Sequence, residues 1–489
     1  MIDKAEKSRT VITTDGEVDD MNSVIRFLLY ANEMDLAGIV LTSSMYHYAG
    51  DQEKGIEPFR WTGTEWLFDI IDRYEKVYPN LCIHAKGYPT PERLRKITKI
   101  GNISNVGEME QITEGSAFLT DLFLDDDPRT LYVQTWGGTN TTARALKTIE
   151  ERYKNTDQWE KVQKKIYQKV VIYIILDQDD SYGNYIAKAW PDLTIINDRF
   201  NFWHFAYAWK MHCPEVNQLI TADWFKENIK FNHGPLLDRY ALIGDGIYID
   251  GELYEEQRGI DHYLEKHPEY TKYDFISEGD SPSFFYLINF GLRSLEDPSY
   301  GGWGGRFVKA NNQLYLNDAF DYNPYTQQYE VEYNLERWFD DIQNDFAARA
   351  DWCVADSYEK ANHAPSISIK EGLDIEVDPG EVIMLHALGE DPDGNELHYR
   401  WWRYFEADTY GKALESEIKT LEIEGLVFSK TRSGEADHSV HLENADTDTV
   451  TIHLPEDMKS GDTIHIIVEV TDNGTPTMKR YQRVILTAK

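Results

Sequence analysis

Residues Val170 to Leu176 read V-V-I-Y-I-I-L, seven apolar or aromatic residues in unbroken succession. Side chains along a strand alternate between faces, so such a run leaves neither face for water. This is the pattern of a central parallel strand covered on both sides, and it ends in the acidic loop D-Q-D-D-S-Y-G. Shorter strand-like runs lie at Val11 to Thr14, Leu36 to Thr42, Leu131 to Thr135 and Leu193 to Ile196. Helical periodicity falls between them, at Phe59 to Tyr78, Thr141 to Tyr153 and Tyr185 to Trp190. Alternation of this kind over residues 9–360 predicts an α/β domain, a mostly parallel sheet with helices on both faces.

From Ala364 the texture changes. Short alternating runs, Ile367 to Ile369, Val382 to Leu385, Leu397 to Trp401, Thr449 to His453, Ile464 to Val468 and Arg483 to Thr487, stand between turn signals such as D-P-D-G-N and D-N-G-T-P. They predict an immunoglobulin-like β-sandwich over residues 363–489, following an α/β domain over residues 1–362. A chain of 489 residues is too long for one ordinary core, which agrees with two domains.

The first domain's chemistry starts at V-I-T-T-D-G-E-V-D-D, residues 11–20. A strand runs into a loop carrying Asp15, Glu17, Asp19 and Asp20, and a helix with Met21, Val24, Ile25, Leu28 and Leu29 on one face follows at once. Open α/β sheets hold their ligands at the carboxyl ends of strands. Several carboxylates cannot converge there unless a cation, a proton or bulk water relieves their repulsion. Ca²⁺, which takes 6–8 oxygen ligands in flexible geometry, is the sharpest of these readings. Helix capping by the same aspartates is the plain one. Three more loops share the polar character: Gly137-Gly-Thr-Asn140, Asp177-Gln-Asp-Asp180 and Glu278-Gly-Asp-Ser-Pro-Ser283.

T-D-G-E-V-D-D ahead of an amphipathic helix resembles the N-terminal calcium motif of nucleoside hydrolases, and W-G-G-T-N resembles their glycine-rich turn. The chain is more similar still to a bacterial "cellulose-binding" family, a nucleoside-hydrolase-like domain followed by an immunoglobulin-like one. The segments that carry this are I-L-D-Q-D-D-S, N-H-G-P-L, E-G-D-S-P-S-F, G-G-W-G-G-R-F, Q-N-D-F-A-A-R-A-D-W-C and E-D-P-D-G-N-E-L-H-Y-R-W. The resemblance implies that Asp15 ligates Ca²⁺ and acts as general base, that Asp20 and Asp280 are further ligands, and that Thr139 supplies a backbone carbonyl. It gives Asp19 a sugar hydroxyl. Two positions depart from the nucleoside hydrolase pattern: Thr13 stands where an aspartate is usual, and Gly279 where many members carry a histidine that assists the leaving base.

Candidates for a general acid are Glu278, Asp179, Asp180, His47, His204 and His233; Asn140, Asp177, Asp179, His233 and Trp303 are candidates for contact with substrate. Each has a structural reading beside the functional one. Asp177 to Asp180 suit a helix cap, Glu278 suits a cap before Pro282, and a lone histidine commonly bonds backbone. Trp303, between glycines, is either an exposed platform for a sugar ring or a plug in a loop. Arg349 and Asp351 are expected in a buried ion pair. Asp391 and Asp393 read as a second Ca²⁺ site or a tight turn.

Charge bounds the partners. There are 49 basic and 85 acidic residues, a net charge of −36, which argues against nucleic acid or an anionic membrane surface. Cys82, Cys213 and Cys353 form neither a disulfide framework nor a zinc pattern. No apolar stretch reaches membrane-spanning length, and the first ten residues lack the apolar segment of a signal peptide. A secreted or periplasmic mature form is expected, with a cytoplasmic one as the alternative. The leading expectation is a Ca²⁺-dependent glycoside hydrolase acting on a carbohydrate. A non-catalytic carbohydrate (cellulose)-binding protein is the alternative, and a nucleoside N-ribohydrolase the third reading.

Overall fold

The computed structural model of the chain describes residues 7–411, 414–423 and 425–489. Its main sheet has eight strands: β1 (Arg9–Thr14), β2 (Asp35–Leu41), β3 (Thr98–Ile100), β4 (Leu131–Thr135), β5 (Val170–Ile175), β6 (Thr194–Asp198), β7 (Val308–Lys309) and β8 (Leu314–Leu316). They lie in the order β3-β2-β1-β4-β5-β6-β8-β7, and only β7 runs antiparallel to its neighbour. From β1 the chain steps outward to β2 and β3, then returns to place β4 on the other side of β1. The loops leaving β1 and β4 therefore diverge, which opens a crevice between them.

Both faces of this sheet are covered, as the apolar run at Val170 predicts. Ile12, Tyr173 and Ile175 join a core with Met21, Leu28, Leu67, Ile70, Ile342 and Phe346, from the helices Val18–Tyr30, Glu65–His84 and Phe339–Trp352. Val11, Ile172 and Ile174 point the other way, to Leu119, Phe123, Leu146, Ile149 and Ile166 on helices Glu114–Leu124, Asn140–Tyr153 and Trp159–Lys169. The helix expected from Phe59 begins only at Glu65. Before it, Phe59 bridges to Tyr48, and Gly63 takes a left-handed turn at φ +79° that helical backbone cannot contain.

The C-terminal strands form two facing sheets. One contains Ser366–Ile369, Val382–Glu390, Thr449–His453 and His441–Glu443; the other contains Asp374–Val377, Lys479–Ala488, Thr463–Asp472 and Leu397–Arg403. Leu385, Val450 and Ile452 from the first meet Trp401, Ile466 and Val484 from the second in one core. The hairpin of Lys419–Ile423 and Leu426–Arg432 leaves this sandwich. It pairs instead with strand Gln328–Glu330 of the preceding region, Tyr329 opposite Arg432 and Glu330 opposite Thr431. The two parts also meet where Tyr481 N–H donates to the Phe290 carbonyl at 3.1 Å and Arg483 Nε donates to the Leu292 carbonyl at 2.6 Å.

Candidate functional site

β1 ends at Thr14, and the three residues before the next helix make its rim. Gly16 turns the chain at φ +84°, which lets the helix start at Val18 with Asp19 and Asp20 in its first turn. Asp20 folds back over the strand end: its Oδ1 accepts from Thr14 Oγ1 and from the Asp15 N–H at 3.3 Å. Asp280 arrives from the far end of the domain, at the turn before helix Ser281–Phe285. Asn22 positions that turn, donating to the Ala241 and Ser277 carbonyls at 3.0 and 3.2 Å and accepting from the Ala241 N–H at 2.8 Å.

These loops bring carboxylate oxygens of Asp19, Asp20 and Asp280 within 4.8 Å of one another. Asp15 stands beside them, pressed against the glycine-rich turn after β4. A Cβ on Gly137 would come within 2.9 Å of Asp15 Cβ and Cγ. Asp15 Oδ2, Asp19 Oδ1 and Asp280 Oδ2 are buried and have no hydrogen-bond partner among the described residues. Leaving an anionic oxygen buried and unpaired is expensive. Burial, then Glu17 and Asp15, push the Asp19 carboxyl up to about 8. Burial also carries Asp20 and Asp280 well above the usual carboxylate range, followed by Asp280 and Asp15 acting on Asp20, and by Asp19 and Asp15 acting on Asp280. Hard carboxylate oxygens this close together and without partners fit Ca²⁺. Asp19, expected to hold a sugar hydroxyl, lies with Asp20 and Asp280 and so joins the candidate ligands. Its Oδ2 accepts from Ser277 Oγ at 3.4 Å.

The other expected residues fall into two groups. Thr139, Asn140 and Asp179 knit the rim together. Asp179 accepts from Thr139 Oγ1 at 3.3 Å, the Asn140 N–H at 2.9 Å and Ser181 Oγ at 2.7 Å. Asn140 holds Thr42 Oγ1, Ser43 Oγ and the Asn102 carbonyl, and the Thr139 carbonyl takes the first helical bond from the Ala143 N–H at 2.8 Å. Asp177 caps the following turn through the Tyr182 and Gly183 N–H groups at 3.2 and 2.8 Å. Asp180 is exposed, at φ +59°.

Four expectations need correction. Glu278 cannot serve as an acid at the site, since its carboxylate is fully buried and saturated. It pairs with Arg26 at 2.6 and 2.7 Å and accepts from Ser281 Oγ at 2.7 Å and from the Tyr240 hydroxyl. Trp303 is 1 % exposed, edge-on to Phe285 and Phe290, and donates to the Tyr481 hydroxyl at 3.2 Å. It is a plug, because the glycines around it let backbones approach: a Cβ on Gly304 would strike the Tyr286 backbone. His233 faces Asp351 at 3.2 Å, at the end of helix Phe339–Trp352, with none of the carboxylate loops. Arg349 is in a buried ion pair as expected, but with Asp345 at 2.8 Å and Glu33 at 2.7 Å, not with Asp351. Asp391 and Asp393 make a turn, with Asp393 committed to His363.

A wall lies beside Glu17, of which the sequence names His47 alone, as a candidate acid. His47 is buried between Glu17 at 3.8 Å and Glu252 at 3.5 Å, and neither ring nitrogen is hydrogen-bonded among the described residues. Burial opposes its charged form, but Glu252 and Glu17 outweigh that and raise its pKa. Arg60 grips Glu252 at 2.6 and 2.8 Å, and Tyr207 donates to Glu17 at 3.2 Å. Thr62 Oγ1 donates to the Gly16 carbonyl at 2.9 Å and so covers the turn. A Cβ on Gly279 would lie 2.9 Å from Asp19 Oδ2, so a side chain at this position would press on Asp19.

The model of the cellulose-binding Sde182 nucleoside hydrolase-like domain matches residues 9–307, and that of the C-terminal domain of cellulose-binding protein Sde0182 matches residues 382–488. Among solved structures, a nucleoside hydrolase-related hypothetical protein from Saccharophagus degradans, described as associated with carbohydrate metabolism, is 25% identical. It superposes with a TM-score of 0.71 over 99% of this chain and 100% of its own. A plant nucleoside hydrolase, the PpNRh1 enzyme, is 12% identical, with a TM-score of 0.33 over 63% of this chain and 86% of its own. No curated protein matches the chain. With both models matched in order along its length, the chain belongs to the cellulose-binding Sde182 family, a nucleoside hydrolase-like domain followed by that family's C-terminal domain.

Proposed function

We propose that this protein is a Ca²⁺-dependent glycoside hydrolase, secreted or periplasmic, that cleaves a glycosidic bond in a polysaccharide-derived carbohydrate. The observation that carries the reading is the set of buried carboxylate oxygens on Asp15, Asp19 and Asp280 that have no hydrogen-bond partner among the described residues. Asp15, Asp19, Asp20 and Asp280 would hold the ion, with the Thr139 carbonyl at the neighbouring turn. Bound calcium supplies charge neutralisation for the carboxylates and makes a water more acidic.

The chain's own groups then have distinct work. Asp15, braced by the close approach of Gly137, takes the proton from the attacking water. Asp19, steadied by Ser277, orients a ring hydroxyl. The packed carboxylates stabilise the positive charge that develops at the anomeric carbon. His47 is the candidate acid for the departing oxygen, since it stands beside Glu17, and Glu252 and Glu17 raise its pKa against burial. Sugar release from a panel of oligosaccharides, with Ca²⁺ and with chelator, tests this reading; Asp15→Asn should abolish release.

The alternative, a carbohydrate-binding protein without catalysis, is favoured by one observation. Asp15, Asp20 and Asp280 are only 2–3 % exposed, which suits a closed structural ion better than an open reaction centre. Retention on cellulose without any reducing sugar, from wild type and Asp15→Asn alike, would establish it.

A further inference from the structure

A second cluster of ligating side chains is built from other residues. His204 closes the short helix Asn201–His204, His212 follows the turn after it, and Glu336 ends the helix Tyr333–Glu336. All three are buried, and one ligating atom from each lies within 4.8 Å of the others.

Their outer hydrogen bonds fix both rings. His204 Nε2 lies 2.7 Å from the Phe428 carbonyl, which can only accept, so Nε2 carries the hydrogen. Asn217 donates its Nδ2 to the Trp209 carbonyl at 2.8 Å, which leaves its Oδ1 facing His212 Nδ1 at 2.8 Å; that nitrogen therefore carries the hydrogen. The remaining nitrogens, His204 Nδ1 and His212 Nε2, both face Glu336 Oε1, at 3.0 and 3.3 Å. Neither has a hydrogen-bond partner among the described residues.

As neutral rings, both would aim a lone pair at one carboxylate oxygen. One proton relieves one ring and leaves the other opposed. Two protons put two imidazoliums with centroids 5.2 Å apart in a buried site, where like charges repel strongly. A single cation relieves all three groups at once. Imidazoles whose far N–H is held by a carbonyl or amide oxygen are the usual arrangement around a bound transition metal. Two imidazoles with a carboxylate match the donor preference of zinc rather than calcium. Glu332, one helical turn before Glu336, has a buried Oε2 with no partner among the described residues and could complete the set.

We propose that His204, His212 and Glu336 bind one transition-metal dication of the zinc class, separate from the acidic pocket. The ion would join the segment after β6 to helix Tyr333–Glu336. Through His204 and the Phe428 carbonyl it would also fasten the C-terminal hairpin to the α/β domain. It has a bearing on the acidic pocket too, because the Phe205 carbonyl, next to His204, accepts from the Glu278 N–H at 2.9 Å.

The test uses the full chain, stripped with chelator, returned to excess Ca²⁺ to occupy the oxygen site, and titrated with Zn²⁺ or Co²⁺ alone. The expected result is uptake of one ion per chain, a rise in melting temperature, and visible Co²⁺ absorption bands of a four-coordinate site. His212→Gln and Glu336→Gln should lose that ion, Asn217→Ala should bind it about 10–100-fold more weakly, and Asp20→Asn should keep it. Should His212→Gln fail to fold, the wild-type titration decides alone. A stripped wild type that takes up no Zn²⁺ and shows no Co²⁺ bands overturns the proposal, and so does uptake that survives both His212→Gln and Glu336→Gln.

Discussion

Arg26 and Glu278 form a fully buried two-point ion pair, Nε to Oε2 at 2.6 Å and Nη2 to Oε1 at 2.7 Å, with the guanidinium 3.7 Å above the Phe346 ring. Removing one partner strands the other charge, at a cost of about 3–5 kcal/mol. Glu278→Gln is therefore expected to lower the denaturation midpoint sharply, with any loss of activity following from unfolding. Denaturant titration checks this. Unchanged stability with activity lost would restore Glu278 as an acid.

Gly137 is needed because Asp15 fills the space where a side chain would begin, 2.9 Å from the added Cβ. Gly137→Ala should displace the Asp15 carboxylate while leaving the buried strands intact. Ca²⁺ affinity measured by calorimetry is expected to fall at least about tenfold, or about 1.4 kcal/mol. An unchanged affinity would place Asp15 outside the ion's reach.

Without a cation, Asp19 keeps its proton up to about 8, whereas in the unfolded chain it loses it near 3.8. Between those values the folded state binds more protons than the unfolded one, so stability falls as pH rises. Asp20 and Asp280 act with the same sign. Melting temperature in chelator should decline across this window, and saturating Ca²⁺ should flatten the decline. A melting temperature in chelator that climbs toward pH 8 contradicts the burial of these carboxyls.

His465 gives the opposite slope. Burial, then Arg483, Arg293 and Arg306, hold its pKa down at about 2 instead of 6.5, and its Nδ1 accepts from Arg483 Nη1 at 2.9 Å. As pH falls below 6.5 the unfolded chain gains a proton that the folded one refuses, and stability drops by up to about 1.4 kcal/mol per pH unit. His465→Asn keeps an acceptor and removes the titration. Its acid limb should be shallower than wild type in chemical denaturation at several pH values; identical limbs would refute the assignment.

Most of the sheet was legible because strands covered on both faces declare themselves, as in Val170 to Ile175, and because Asp15 to Asp20 follow a strand directly. Asp280 was reached only through family resemblance, since nothing local in E-G-D-S-P distinguishes a ligand from a cap. Contacts made across long separations left no local trace. Arg26 lies 252 residues from Glu278, in a helix where one basic residue reads as a solvated face. His204, His212 and Glu336 share no spacing rule, because the turn and the helix that unite them pack only in the folded chain. The hairpin Lys419–Ile423 with Leu426–Arg432 is absent from the strands read in the sequence, and its partner is the short strand at Tyr329. Trp303 reads from sequence as platform or plug alike, because flanking glycines suit both; here they serve tight packing.

Asp15, Asp19, Asp20 and Asp280 are proposed to share one divalent ion. Calorimetric titration of Ca²⁺ into the stripped full chain tests it most directly. Wild type should bind one equivalent, which Asp280→Asn and Asp20→Asn should each lose while staying folded. Wild type that binds no Ca²⁺ under saturating conditions, or binding that survives both substitutions, would contradict it.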